Sequence, residues 1–426
     1  MPSEGGSVAP TRRMADFWTF FVGQTASNLG TSFTLFALPL LVYKLTGSSL
    51  NLAITTAADM LPYLLFGLLI GAWVDRVDRK RLMIMTDLTR AAVIATIPLM
   101  AALGHLTVIW IYGVAFVQAT LGIFFNSAEF ATIPSLVRMD DLVAANGRVQ
   151  ASYSAAQVLG PVLGGVLVLL VPVPALMLFD AGSFLISVFS LLLIRTSFNQ
   201  ADEARERTHI WRDVADGLRY VLSHPVLRNI SAMMALVNFV ATTAGSQLVL
   251  FATVRLGASY SQVAWLYAAG SFGVVVMGLL AGVFRKRWSF SRVALGALMI
   301  EGLLTIAFAF MRIYWIGLVI WGLAGGLGIL FNINTGSLRQ AIVPNHLLGR
   351  VVSVASVLAW SAIPLGSLLG GYAIERTGNV ALVYAVIGAL TFLIPLGFSF
   401  TALGHAERYI PKAAGVGDAV APRQAS

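Results

Sequence analysis

The sequence contains no cysteine, which removes disulfides, thiolate metal sites and a cysteine nucleophile at once. Charge is scarce as well. Asp, Glu, Lys and Arg make up 11% of 426 residues, where soluble domains carry about 25%. So few charges cannot cover a water-soluble surface. Low hydrophobicity and a Gly-X-Y period are also missing, which excludes a disordered or collagen-like chain. His105, His209, His224, His346 and His405 fall singly in loops, and no Gly-x4-Gly-Lys-(Ser/Thr) nucleotide loop occurs. No metal site, no cofactor and no enzymatic constellation is expected, and a self-contained ATP-driven pump is excluded.

What the chain has in quantity is apolar residues, at 58%, with a mean hydropathy of +0.83. A hydrocarbon layer about 30 Å thick needs about 20 apolar residues per helical crossing. Twelve stretches qualify: 15–43, 50–74, 82–103, 107–131, 147–171, 174–195, 228–254, 260–284, 290–311, 313–336, 349–374 and 379–403. The fold class is therefore all-α integral membrane, with twelve transmembrane helices. Residues 1–14 are polar and the first apolar stretch is too long for a signal peptide, so no cleaved leader is expected.

Basic residues set the orientation, because Lys and Arg collect on the cytoplasmic side. Arg12 and Arg13, Arg76 to Arg81, Arg138 and Arg148, the loop arginines from Arg195 to Arg228, Arg285 to Arg292, Arg339 and Arg350, and the tail residues Arg408, Lys412 and Arg423 share one side. Lys44, Arg255, Arg312 and Arg376 fall on the other. Both termini are thus expected in the cytoplasm. The net charge of +9 is a topology signal, and no nucleic-acid partner is implied. The longest loop divides the chain into a cytoplasmic segment (1–14), a six-helix bundle (15–195), a central loop (196–227), a second bundle (228–403) and a cytoplasmic tail (404–426). In that loop Trp211, Val214, Leu218, Val221 and Leu222 share one helical face, which suits a helix lying on the membrane surface or one covering the bundle.

The two halves repeat one another. Phe125-Asn126 returns as Phe331-Asn332 and Gly164-Gly165 as Gly370-Gly371, both 206 residues on, while Gly147-Arg148-Val149 returns as Gly349-Arg350-Val351. Two pseudo-symmetric six-helix bundles are the usual build of secondary transporters, which rock one half against the other around a midplane site.

Two motifs carry a mechanism. After the second span comes Gly71-Ala-Trp-Val-Asp75-Arg76-Val-Asp78-Arg79-Lys80-Arg81. The glycine permits close helix approach, and Asp75 with Arg76, Arg79 and Lys80 could latch one conformation shut. In the fifth span, Gly147, Ala156, Gly160, Pro161, Gly164 and Gly165 supply small residues for tight packing and a proline for bending. The first segment resembles the loop signature of the major facilitator superfamily, with Asp78 in place of its second glycine. The second is similar to the antiporter pattern Gly-x8-Gly-x3-Gly-Pro-x2-Gly-Gly, with Ala156 replacing one glycine. Asp180 to Phe184 and the run from Gly217 to Leu227 also look like the drug:proton antiporter branch that contains macrolide-efflux proteins and the enterobactin exporter.

That resemblance covers about 15–405. It implies a major facilitator fold, a bacterial cytoplasmic membrane, a monomer, and export of a small amphipathic molecule against proton entry. The fourth span lacks the intramembrane Arg that many proton-coupled members carry, so their relay does not transfer.

Acidic groups at mid-depth cost about 2.5–3.5 kcal/mol and are functional candidates by default. Asp59, Glu301 and Glu129 are the proton-coupling candidates, Asp59 foremost because it lies near the midplane of the second span. Asp180 suits a structural helix contact, and Asp87 with Arg90 an ion pair near the cytoplasmic end of the third span. The resemblance places spans one, four, seven and ten around a central cavity. They offer Gln24, Asn28, Gln118, Asn126, Asn238, Gln247, Asn332 and Asn334 among Phe33, Phe124 and Trp321. Neutral amides among aromatics suit a bulky amphiphile. A siderophore or lipid-like metabolite fits that description as well as a drug, and a non-transporting sensor is the competing class.

Overall fold

The computed structural model describes residues 10–74, 77–138, 141–199 and 210–409. The first half runs α1 (Pro10–Thr46), α2 (Ser49–Val74), α3 (Arg79–Ala102), α4 (Val108–Leu136), α5 (Leu142–Leu167) and α6 (Leu176–Leu193). A connecting helix, α7 (Ile210–Ser223), leads to α8 (Pro225–Ser246) and α9 (Leu248–Arg255). Then follow α10 (Tyr260–Arg287), α11 (Phe290–Phe310), α12 (Tyr314–Ile342), α13 (Asn345–Trp360), α14 (Ala362–Thr377) and α15 (Val380–Phe398). Among the described residues no strand occurs.

Eleven segments there are long and apolar enough to cross a bilayer. The twelfth expected span, α5, has the length but is diluted by Asn146, Arg148, Gln150, Ser152, Ser154 and Gln157. It packs on α1 and on α10, so much of its surface meets protein instead of lipid. Elsewhere the outer surface is apolar, with Leu279 79% and Phe130 78% exposed, as a hydrocarbon solvent requires.

Two expected spans are not continuous helices. The seventh breaks between α8 and α9 at Gln247, whose backbone leaves helical geometry (φ −100°, ψ 9°). The eleventh, expected over 349–374, begins at Asn345 and is interrupted at Ser361. Pro364 supplies the reason: it has no N–H to bond the carbonyl four residues back, at Trp360.

Contacts between the halves gather at the end of the molecule opposite the termini. There one apolar cluster runs through both halves, from Phe36 and Leu40 through Ile111 and Phe184 to Phe251, Ala264 and Tyr384. At the terminal end each half keeps its own cluster, one around Phe17, Phe20 and Met83, the other around Ile230, Phe290 and Leu338. The repeat is visible in the packing. A Cβ on Gly165 would lie 2.4 Å from the Ala264 Cβ of α10, and one on Gly371 would lie 2.5 Å from the Ala53 Cβ of α2. Each half thus inserts a glycine against the other at the same register, 206 residues apart. That is close backbone approach which no larger side chain permits.

The described part of the central loop covers the bundle. Val221 is buried, and Val214 and Leu218 pack with it against Val351 and Val354 of α13. Asp216 pairs with Arg350 at 3.7 Å. The end of the chain is anchored in a similar way. A 3₁₀ segment, Ala402–Tyr409, brings Glu407 to the start of α11, where the Ser291 N–H donates to Oε1 at 2.9 Å and its hydroxyl to Oε2 at 3.1 Å.

Burial works against that carboxylate, but the donors of Ser291, the backbone N–H of Glu407 itself and the Ser289 hydroxyl together outweigh it and hold Glu407 below the ordinary glutamate range. A folded value below the unfolded one means that the stabilisation is present above the ordinary range and fades as pH falls through the folded value. Glu407→Gln should lower Tm at neutral pH, with the deficit closing as pH is taken below about 4. A deficit that stays constant across that range would show that the charge does not hold the segment.

Candidate functional site

A cavity of about 380 Å³ lies between the halves, directly beside the apolar seal. The first half lines it with Thr34, Leu38 and Pro39 of α1, Thr55, Thr56 and Asp59 of α2, and Val114, Ala115 and Gln118 of α4. The second half contributes Thr242, Gly245 and Ser246 of α8 and Tyr267 of α10. Asp59 is the charged member of this lining. Phe36 meets the lining residue Tyr267 edge-on across the halves at 6.0 Å.

Of the eight amides expected in the cavity, Gln118 lines it. Gln24 is buried and donates to the Ser187 hydroxyl of α6 at 3.0 Å. Asn238 donates to the Ala359 carbonyl at 2.9 Å, tying α8 to α13 beside the interruption. Gln247, fully buried, donates across the halves to the Ser49 carbonyl at 2.8 Å. Asn334 turns back on its own helix, to Leu330. These four donate to helix backbones or a neighbouring side chain, as buried amides in a low-dielectric interior tend to, while the Oε1 of Gln247 stays buried without a partner among the described residues. Asn28 is half-buried, and Asn126 and Asn332 are exposed at equivalent positions of α4 and α12.

The ion pair expected between Asp87 and Arg90 is present, with Arg90 eleven residues, about 16 Å, from the start of α3. Its guanidinium stacks on Phe184 at 4.1 Å, donates to Gln118 at 3.3 Å and pairs with Asp87 at 3.7 Å. Gln118 returns a bond to the Arg90 carbonyl at 2.8 Å. Glu129 of α4 is near enough to feel both Asp87 and Arg90. The fourth span indeed has no arginine, but the third delivers one to its side through Gln118, a tertiary contact without a mark in the sequence.

Asp180 takes hydroxyls from Thr34, Thr31 and Ser183, a helix contact between α1 and α6. Glu301 of α11 stands apart from the cavity, against Gly328 of α12, where an added Cβ would lie 3.3 Å from its Oε2. That oxygen is buried and has no hydrogen-bond partner. Tyr267 and the hydroxyl residues Thr34, Thr55, Thr56, Thr242 and Ser246 are lining residues that sequence reading missed, because neutral side chains within apolar runs do not mark themselves.

In the expected latch, Asp75 and Arg76 lie outside the described residues, and Gly71 is in the last turn of α2. Arg79 donates to the carbonyls of Ala131 and Phe198, and Lys80 to that of Ile194 at 2.6 Å. Both cations thus sit at carbonyls at or near the ends of α4 and α6 in their own half, where the helix dipole favours them. Asp78 caps α3 by accepting from the Arg81 N–H at 3.0 Å, a use for the side chain that replaces glycine there. In the fifth-span motif, Gly160 meets Ser32 and Gly164 meets Phe36, both of α1, while Gly165 meets α10. Ala156 and Pro161 are buried, and Gly147 meets nothing within 4 Å.

Comparison with known proteins agrees with this architecture. The chain is 27% identical over 405 residues to the multidrug efflux pump Tap of Mycolicibacterium fortuitum, covering 90% of this chain and 97% of the relative. It is 24% identical over 366 residues to macrolide efflux protein A of Streptococcus pyogenes, covering 85% and 90%. Among solved structures, a bacterial homologue of the human lysosomal transporter Spinster, in an inward-facing unoccupied conformation, superposes with a TM-score of 0.75 at 16% identity. That match covers 96% of this chain and 100% of the other. The nucleoside transporter NupG superposes at 0.73 with 12% identity, covering 93% and 100%. The family model described as transmembrane secretion effector matches residues 5–410. The chain is a multi-pass membrane transporter of the major facilitator superfamily and belongs to its transmembrane secretion effector family.

Proposed function

We propose that the protein exports hydrophobic or amphipathic small molecules, of the drug and macrolide kind, by exchanging them for protons through alternating access. The cavity carries this reading: it is walled by both halves, mostly apolar, and adjoins the apolar cluster that joins the halves at the far end. Efflux relatives of nearly the same length support the direction. The basic loops put the termini in the cytoplasm of a bacterial inner membrane, so the sealed end faces outward. The protein works as a monomer, with lipid and cargo as its partners and the proton gradient as its energy source. One charge crossing the membrane supplies about 2.3 kcal/mol per 100 mV, enough for a useful concentration ratio. Asp59, Glu129 and Glu301 remain the single-residue coupling candidates, Asp59 because it lines the cavity.

Cells expressing the protein should accumulate less of a macrolide than control cells, and an uncoupler should erase the difference. If Asp59 alone carries the proton, Asp59→Asn should fold normally and lose uphill export. Equal accumulation with and without expression, across a panel of amphiphiles, would reject export. Uncoupler-insensitive export would reject the proton as driving ion.

A further inference from the structure

Between α3, α4 and α6 lies a buried set of charges whose arithmetic does not balance. Asp87 is fully buried, and neither of its carboxylate oxygens has a hydrogen-bond donor. Glu129 is half-buried, and its Oε1 is sealed without a donor. Arg90 pairs with Asp87 at 3.7 Å, is held by Gln118 and the face of Phe184, and acts electrostatically on Glu129. From α6, Asp180 also feels this cation, but three hydroxyls already serve its carboxylate. From α2, Tyr63 lies within the field of both Arg90 and Asp59. Asp87 and Glu129 therefore have one guanidinium between them; the Ser187 hydroxyl of α6 lies near enough to Asp87 to favour its anion, but it adds no charge to the balance. Each unpaired ion kept at this depth costs several kcal/mol, whereas a proton shared by the pair leaves one anion facing one cation.

Position suits exchange. Asp87 is eight residues from the start of α3 and Glu129 seven from the end of α4, so both stand about 10–12 Å in from the terminal end. Asn126, nearly one turn from Glu129 on α4, is exposed. Asp87 is sealed, and Glu129 is the member with an outlet.

We propose that Asp87, Arg90 and Glu129 together form the site that carries the exchanged proton, one per cycle. The inference rests on the antiport reading above and moves its centre from any single carboxylate to this trio. In the conformation seen here Glu129 passes H⁺ to water on the terminal side. In the opposite conformation the pair takes H⁺ from the other side. No bond other than O–H is made or broken.

The test has two parts on the purified full chain. Infrared difference spectra across a pH titration, taken in an Asp59→Asn, Glu301→Gln background to remove those buried acids, should show the carbonyl band of one protonated carboxyl from the trio. Asp87→Asn, Glu129→Gln and the double variant should each lose the same single band, because removing either acid leaves the other ionised against Arg90. Bands that persist in both single variants, or a double variant that loses twice as much, would overturn the proposal.

In reconstituted vesicles, the single variants should still exchange a labelled macrolide at equilibrium, which also shows that they are folded, and should lose accumulation driven by an imposed pH gradient. Variants that accumulate at the wild-type rate would likewise overturn it. A wild type that accumulates no macrolide under any pH gradient, while the background shows the shared band, would place the failure in the antiport reading and not in the trio. Should sodium, and not acid, restore the variants' driven uptake, the trio would be a metal-cation site and the proton assignment wrong.

Discussion

Bridging Ser48→Cys to Glu375→Cys with a short cleavable bis-thiol reagent should reduce transport to the level of empty vesicles, and cleavage should restore it. The bridge would fasten the sealed end of the molecule. There the hydroxyls of Ser48 and Ser49 donate to Glu375 at 3.2 and 3.0 Å, and Ser49 also donates to the Gly371 carbonyl at 2.9 Å. Ser367 donates to the Ala53 carbonyl at 3.2 Å, and Gln247 completes the seam from α8. Every one of these bonds joins the two halves, so each must break if the far end opens. Because the chain has no native cysteine, the two introduced thiols are the reagent's only targets, and each single variant treated alike serves as the control. Undiminished transport through the bridged protein would mean that the far end never opens, and alternating access would have to be abandoned.

How much of this could be read from residues alone follows from which forces act locally. Span number, the two-bundle division and the repeat were legible, because burying about 20 apolar residues and reusing a 206-residue offset both leave marks in one dimension. Gly160, Gly164 and Gly165 stood out for the same reason. Their pseudo-symmetric partners Gly366, Gly370 and Gly371 meet Phe239, Thr243 and Ala53 in the other half's version of the same packing.

The cavity amides were not legible. An amide within an apolar run signals only that it needs a partner, and Gln24 and Gln247 found theirs on α6 and α2, at separations of 163 and 198 residues. The helix interruptions at Gln247 and Ser361 are tertiary as well, the second foreshadowed by Pro364. The Asp87–Arg90 pair was legible from its three-residue spacing, whereas the approach of Gln118 and Phe184 to Arg90 was not, because it joins three helices.

Gly165→Leu should cut transport at least about ten-fold without unfolding the protein, and Gly371→Leu should do the same from the other half. At Gly165 even a methyl group would stand 2.4 Å from the Ala264 Cβ, and at Gly371 it would meet the Ser49 carbonyl at 2.9 Å as well as Ala53. Overpacking of this kind costs about 1–3 kcal/mol. The strain exists only while the far end is shut, so relief comes from swinging the halves apart there. A bias of that size changes the ratio of two conformers by about ten-fold to a hundred-fold, since each 1.4 kcal/mol is a factor of ten. The carrier would then stay open at the far end and shut at the terminal end. Thiol labels placed at the two mouths should report that shift in opposite senses. The decisive control is steric compensation: Gly165→Ala alone should be impaired, and Gly165→Ala combined with Ala264→Gly should recover, because the pair then holds one methyl group as before. If the double variant is no better than the single, the loss arises from α5 itself and not from its contact with α10.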